Sequence, residues 1–393
     1  MIGAHLSLYI HIPWCVRKCP YCDFNSHAVK DEIPQAAYIQ ALLQDLEADL
    51  PQVWGRTVHS IFIGGGTPSL FSAASIDALI SGVRARIQLH PNAEITLEAN
   101  PGTLESDSFS AYKQAGINRI SLGAQSFSNP HLQALGRIHG RDEILNAVNA
   151  IKSAGINNFN LDLMVGLPNQ SQQQALEDLQ QALECQSTHI SHYQLTLEPN
   201  TQFAHKPPAG MPEDDALADT QDSCASLLNK QGFAQYEVSA WAKSDAAHDY
   251  RSQHNLNYWR FGDYLGIGAG AHGKITRPAE NAVVRIAKQR HPRAYLAAVD
   301  NQAFVAEQRQ LSESDLIFEF FLNQLRLKQG VNPDDFSRRT GLSWERVEKL
   351  VERGIQAGYF RPLKLNGMLQ CTEAGWRHLH TVQELFLLES AAK

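Results

Sequence analysis

Leu6-Ser-Leu-Tyr-Ile-His-Ile-Pro-Trp-Cys15-Val-Arg-Lys-Cys19-Pro-Tyr-Cys22 is a strand-like run that ends in three closely spaced cysteines. Half of the chain's six cysteines fall between Cys15 and Cys22, and no fourth is near. Thiolates are soft ligands suited to zinc, copper(I) or iron–sulfur clusters. A closed structural zinc site wants four protein ligands. A [4Fe–4S] cube held by three cysteines instead keeps one iron open for a substrate or cofactor. A zinc site completed by His11 or His27 is the alternative for the same trio. Three unrelated core thiols are disfavoured by the crowding and by the neighbouring proline and basic residues.

Outward from this stretch, strand and helix signals alternate. Strands are expected at Leu6–Ile12, Val58–Ile63, Glu94–Glu98, Arg119–Leu122, Phe159–Val165 and His189–Leu197. Helices are expected at Pro34–Leu50, Ser75–Leu89, Glu105–Ala115, Arg141–Ala154 and Gln172–Cys185. Proline suits a first helical turn, and Gly116 and Gly155 follow two helices where helices commonly end. Such alternation implies parallel strands joined by crossover helices. Six units are fewer than the eight of a closed barrel. The expected architecture is therefore α/β, an open six-unit (βα)6 partial TIM barrel.

A second module begins near Leu311. Ser312-Glu-Ser-Asp suits a capped helix start. Pro333–Arg339, Gly341 and Ser343–Ala357 read as helix, turn and helix. Tyr359–Leu365 and Met368–Thr372 flank Asn366-Gly367 as a hairpin with a type I′ turn. The sum resembles a winged helix, an α+β module. Residues 308–393 hold 12 Lys/Arg against 11 Asp/Glu, a net of +1, which is no basic footprint for DNA; a lid or docking module fits better. The expected division is a core over 1–240, a linking segment over 241–310 and the terminal module over 311–393. Within residues 199–310, Arg277–Pro292 shows no clear periodicity.

The 393 residues carry 43% apolar side chains and a formal charge of −7. That composition supports a sizeable core and argues against a dominant nucleic-acid surface. No run approaches the roughly eighteen apolar residues of a membrane span, and the N-terminus lacks signal-peptide character. Cys185, Cys224 and Cys371 have no framework spacing, as expected of free thiols in a reducing cytoplasm.

Other chemistry-bearing residues gather at expected strand ends. Gly64-Gly65-Gly66-Thr67-Pro68 follows the second strand, where bare backbone can approach a ligand. Glu98 ends the third strand, Gln125 and Ser126 lie past the fourth, and Asp162 sits inside an apolar fifth. A carboxylate there is costly unless paired or facing a polar site. Repetition on successive strands favours a shared pocket, although each could be a structural hydrogen-bonder. Arg137 suits bidentate pairing with a ligand carboxylate; its alternative is an internal partner for Glu98 or Asp162.

The C-x3-C-x2-C spacing with Tyr21 before the last cysteine resembles the radical S-adenosylmethionine (SAM) superfamily. There the open iron chelates the amino and carboxylate groups of SAM, and a cluster electron cleaves the sulfonium. The match narrows over about residues 1–275. Tyr9-Ile-His-Ile-Pro-Trp-Cys15, Cys19-Pro-Tyr-Cys22-Asp-Phe24, Gly64-Gly-Gly-Thr-Pro68, Gly123-Ala-Gln-Ser-Phe127 and Asn160-Leu-Asp-Leu-Met-Val-Gly-Leu-Pro168 resemble the oxygen-independent coproporphyrinogen III oxidase family. The resemblance implies a radical SAM barrel in which Cys15, Cys19 and Cys22 hold the [4Fe–4S] cluster. Tyr9, Gly65, Gly66, Thr67, Glu98, Gln125, Arg137 and Asp162 would line the SAM region. Two departures matter. Phe24 stands where the oxidase carries a further cysteine, and His254-Asn-Leu-Asn-Tyr-Trp259 is similar to a motif of the family's heme chaperone branch. That branch implies heme as cargo, His254 as a candidate heme ligand, and Tyr258 and Trp259 as packing partners. By composition alone, His254 reads as a hydrogen-bonded structural histidine. The branch also implies heme-accepting proteins, such as respiratory enzymes, as partners, with no nucleic acid. Membrane contact through partners and a homodimer stay open. The rival expectation is an oxidase using the adenosyl radical on propionate side chains.

Overall fold

Leu6, Leu8, Ile10 and Ile12 alternate with Ser7, Tyr9 and His11, so the first strand has two unlike faces. Its apolar set joins the main core with Leu42, Leu46, Ile76 and Leu79 from the covering helices. The polar set faces the other way, and the same alternation repeats along the sheet. This arrangement is seen in a computed structural model that describes residues 1, 5–103, 108–245, 248–362 and 367–388.

The expected parallel arc comprises β1 (Leu6–Ile12), β2 (Val58–Gly65), β3 (Leu89–Ala99), β4 (Arg119–Gln125), β5 (Phe159–Val165) and β6 (His189–Gln194). Neighbours pair in parallel in that order. Between them run α1 (Gln35–Asp49), α2 (Ala73–Arg86), α3 (Ser108–Ala115), α4 (Arg141–Ser153) and α5 (Gln172–Glu184). The second helix starts two residues before Ser75 because Ser72 is its cap, accepting from Ser75 N at 3.2 Å. The backbone turns extended at Ile87, so Leu89 opens a strand rather than closing a helix. The expected helix start at Glu105 lies outside the described residues.

The sheet continues past both ends of the arc. Beyond β6 come β8 (Ala240–Ala242) and β7 (Ala234–Glu237), both antiparallel, after α6 (Asp214–Lys230). On the other flank, β9 (Asp263–Ile267) pairs in parallel with β1. Antiparallel β10 (His272–Arg277), β11 (Ala282–Lys288) and β12 (Val305–Gln310) follow. Among the described residues the twelve-stranded order is β12-β11-β10-β9-β1-β2-β3-β4-β5-β6-β8-β7. Between β8 and β9, α7 (Gln253–Trp259) packs on the arc.

Charged residues hide these added strands from a hydropathy reading. Lys274 is buried in β10 and bonds Asp263 at 3.2 Å. Lys288 is buried in β11 between Asp45 at 2.5 Å and Asp49 at 2.7 Å, both on α1. Tyr295 donates to Asp45 at 2.7 Å, and Gly268 N to the same carboxylate at 3.2 Å.

The C-terminal module contains α8 (Glu313–Gln324), α9 (Pro333–Thr340) and α10 (Glu345–Gln356). Ser312 and Asp315 form the expected capping box of α8. Phe320, Phe321, Phe336 and Phe386 form its core, joined by Phe261 and Val283 from the sheet side. The antiparallel bridge Phe360–Cys371 joins the two flanks of the expected hairpin, and Val331–Leu369 ties the second flank to the segment before α9; residues 363–366 of the hairpin lie outside the described residues. Among the described residues no helix is long and apolar enough to cross a membrane.

Removing one partner of a buried ion pair strands the other and typically costs about 3–5 kcal/mol. Lys288→Met is therefore expected to destabilise the protein by about that amount at neutral pH in urea unfolding. A loss below about 1 kcal/mol would show that the Asp45–Lys288–Asp49 cluster does not hold β11 to α1.

Candidate functional site

The strands of the arc are buried along most of their length, but each has an accessible position at a similar level. In β1 this is Tyr9, in β4 Gly123, in β5 Asp162, and in β3 from Ala93 onward Glu98. Phe62 of β2 is half-buried beside its register partner Tyr9. Together they line a lumen toward the C-terminal strand ends, where parallel α/β folds place ligands.

The cysteine loop lies over this lumen. Trp14–Cys15 pairs in parallel with His27–Ala28, which closes the loop on itself. Gly66 N donates to Ile12 O at 2.8 Å and Thr67 N to Trp14 O at 2.7 Å, so these two amides anchor the start of the loop. Asn25 donates to the carbonyls of Ala269 and Arg290, each at 2.9 Å, holding the loop to the β9 side. Across the lumen, Phe203 N donates to Pro20 O at 3.0 Å, and Tyr21 packs with Leu135, Met164, Leu195 and Phe203. The loop thus spans from one flank of the arc to the other.

Cys15 is 7% exposed, Cys19 and Cys22 are half-buried, and all three thiols are free. Arg137 Nη1 donates to Cys19 Sγ at 3.6 Å and to Tyr21 at 3.4 Å, while Nη2 donates to Gly123 O at 3.0 Å. Among the described residues no three His, Cys, Asp or Glu side chains converge closely enough to hold one metal ion. A cube takes one thiolate per iron and needs no such convergence. Of the alternative zinc ligands, His11 has both nitrogens engaged, one with Tyr9 and one with Asn25 O, each at 2.9 Å. His27 packs edge-on against His291.

The lumen carries two carboxylates without an ion pair among the described residues. Glu98 accepts from Gly65 N at 3.0 Å. Burial, and secondarily the Asp162 carboxylate, push Glu98 up to about 8. Asp162 accepts from Asn160 at 2.8 Å and Ser121 at 3.1 Å, and burial also raises it, against those bonds. Gly65 has φ +117°, and an added Cβ would stand 2.5 Å from the His11 ring, so no side chain fits there. Gln125 ends β4 with φ +69° and accepts from Tyr193 OH at 2.6 Å. Tyr193 was not foreseen in the sequence, although it sits at the end of β6, where the same positional logic applies.

One expected residue stands apart. His254, on α7, is 0% exposed and lies below Tyr9 and Phe62, with ring centroids 6.4 and 5.2 Å away. Its Nδ1 is 3.1 Å from Ser60 Oγ and its Nε2 is 2.9 Å from Tyr258 OH. Glu94 holds the start of α7 through Gln253 N and His254 N at 3.2 and 3.1 Å. Burial, helped by Arg119, pushes His254 down to about 3, so the ring is neutral. In this arrangement it has no free nitrogen for an iron; the geometry is that of a structural hydrogen-bonder. Trp259 of the same helix lies under the Arg326 guanidinium, 4.2 Å from its ring centroid.

The donor set fits a cluster with a small cationic ligand: three free soft thiols, a glycine cradle and two carboxylates with no ion pair among the described residues. Because the folded pKa of Glu98 lies above its ordinary value of 4.5, protonation favours the fold and stability falls as pH rises from 4.5 through about 8. Glu98→Gln is therefore expected to match the ligand-free wild type near the lower limit and exceed its stability above the upper one in urea unfolding. A variant less stable than wild type on the alkaline side would contradict this.

Comparison with known proteins supplies the family. Residues 9–182 match the model of the Radical SAM superfamily, and residues 311–378 match that of the HemN C-terminal domain. The chain is 51% identical over 388 residues to "Heme chaperone HemW" of Haemophilus influenzae, covering 98% of both chains. It is 50% identical over 384 residues to "Heme chaperone HemW" of Escherichia coli, again covering 98% of both. The solved coproporphyrinogen III oxidase (HemN) from Escherichia coli, described as a radical SAM enzyme, superposes with a TM-score of 0.81. That match covers 98% of this chain and 90% of the other at 22% identity, and it speaks to the fold alone. The radical SAM fold expected from the motifs is thus the observed one, and the chain belongs to the HemW family of that superfamily.

Proposed function

We propose that this protein is a heme chaperone that carries a [4Fe–4S] cluster on Cys15, Cys19 and Cys22, binds SAM in the lumen beneath it, and hands heme to acceptor proteins. The observation that carries the reading is the loop of three free thiols spanning a lumen in which Glu98 and Asp162 form no ion pair among the described residues. SAM brings an ammonium and a sulfonium to such a site and, when bound to the cluster, supplies a reducible carbon–sulfur bond. Tyr9, Gly65, Glu98, Gln125, Arg137 and Asp162 surround that space; Gly66 and Thr67 support it through their backbone. A cytoplasmic location, respiratory acceptors, membrane contact through those acceptors and a homodimer belong to the same proposal.

Heme needs a surface for its apolar faces and two propionates. With His254 enclosed, the lumen mouth is the better place. Phe24 is 59% and Val16 47% exposed on the cysteine loop. Arg17 and Lys18 are exposed beside them, and Lys18 Nζ donates to Phe24 O at 3.0 Å. Ile138 and Leu197, at 45% and 39% exposure, lie on the loops that follow β4 and β6. Phe24 also fills the position of the oxidase's further cysteine with an apolar side chain, which supports docking over propionate chemistry.

The test is anaerobic reconstitution followed by heme titration, transfer to an apo-acceptor, and incubation with coproporphyrinogen III, SAM and a reductant. Heme retention without turnover is expected; formation of protoporphyrinogen IX would replace the reading with the oxidase. Phe24→Asp is expected to weaken heme binding about tenfold, equivalent to about 1.4 kcal/mol, with the cluster spectrum intact. His254→Ala in well-folded, cluster-loaded protein is expected to retain heme. The reverse pattern would move heme to the barrel floor, with the His254–Tyr258 bond opening to receive it.

A further inference from the structure

β4 does not end as a regular strand. Its pairing with β5 slips between Leu122 and Gln125, and Gln125 adopts left-handed backbone that side-chain-bearing residues seldom use. Slips of this kind re-aim a side chain, and such strain persists only where the surroundings hold it. Here the Tyr193 hydroxyl donates to Gln125 Oε1 at 2.6 Å. Burial raises the Tyr193 phenol well above its ordinary range, so the hydroxyl keeps its proton.

With Oε1 occupied, the amide presents Nε2, which is a donor. A Cβ added to Gly123 would lie 3.2 Å from Gln125 Nε2 and 3.3 Å from Arg137 Nη2. Two donors, one of them charged, therefore meet over the bare Cα of Gly123. Arg137 Nε is buried nearby without a hydrogen-bond partner among the described residues. The notch is rich in donors and calls for an acceptor from outside the chain.

We propose that Tyr193 is a positioning residue of the ligand site: it fixes the polarity of the Gln125 amide, so that Gln125 and Arg137 present paired donors to an anionic oxygen group of the ligand, the carboxylate of SAM. This inference rests on the SAM reading above. Gly123 leaves the space in which that group sits, and the slip in β4 aims Gln125 toward it.

The test is a double-mutant cycle on equilibrium binding of labelled SAM to anaerobically reconstituted protein, with cluster absorbance as the control for folding. Tyr193→Phe is expected to weaken SAM binding about fivefold to tenfold, as for loss of one hydrogen bond. Once Gln125→Leu is present, Tyr193→Phe should add nothing further. Gln125→Glu keeps the Tyr193 bond but turns the donor into an acceptor, and should lose more than tenfold in affinity. With decarboxylated SAM, Tyr193→Phe should bind as wild type does. Independent, additive effects of the two substitutions, or wild-type affinity in Tyr193→Phe or Gln125→Glu, would overturn the positioning role. A wild-type protein that holds its cluster but binds no SAM would overturn the SAM reading, and this inference with it.

Discussion

Two carboxylates that form no ion pair among the described residues, Glu98 and Asp162, constrain the rest of the lumen. A buried charge is tolerated only if it is hydrogen-bonded, neutralised or awaiting a partner. Asp162 has Asn160 and Ser121, whereas Glu98 has the Gly65 amide. The Gly65 bond depends on the backbone of the glycine segment, which in turn leaves the His11 ring no room for a side chain beside it. Gly66 and Thr67 tie the same segment to the start of the cysteine loop. The protein thus couples the electrostatics of its lumen to the placement of its thiols through one strand end.

A second set of buried charges does the opposite work. Lys274 and Lys288 are fully partnered, by Asp263 and by the Asp45–Asp49 pair. Arg285 bonds Tyr264 and reaches Glu319 of α8 at 2.5 Å. These pairs join β10 and β11 to β9, and fasten β11 to α1 and to the C-terminal module. Buried ion pairs add little net stability over apolar packing but specify which elements meet. Between the two sets lies α7: His254 and Tyr258 face the arc, while Trp259 meets Arg326 beyond α8.

How much could be read in advance follows from where each charge finds its partner. The six strands of the arc were legible because their outward faces are apolar and regularly spaced, as in Leu6, Leu8 and Ile10. The strand-end positions of Glu98, Gln125 and Asp162 were legible for a related reason: polar groups recur where apolar ones are expected. β10 and β11 were not, because Lys274, Arg285 and Lys288 look like surface residues until partners far away in the chain are known. Tyr193 was missed because a tyrosine in a strand is unremarkable by composition; only its bond to Gln125 distinguishes it. For His254 the motif names the residue, and the structure adds the partners of its nitrogens, Ser60 and Tyr258.

The central claim is that the three thiols carry a cube whose fourth iron faces a ligand lumen. Mössbauer spectroscopy of protein anaerobically reconstituted with enriched iron, recorded without and with SAM, tests it most directly. The account predicts four irons per chain, one of which changes its signal when SAM is added while the other three do not. Stoichiometric zinc in place of iron, or four irons that respond alike with and without SAM, would contradict it.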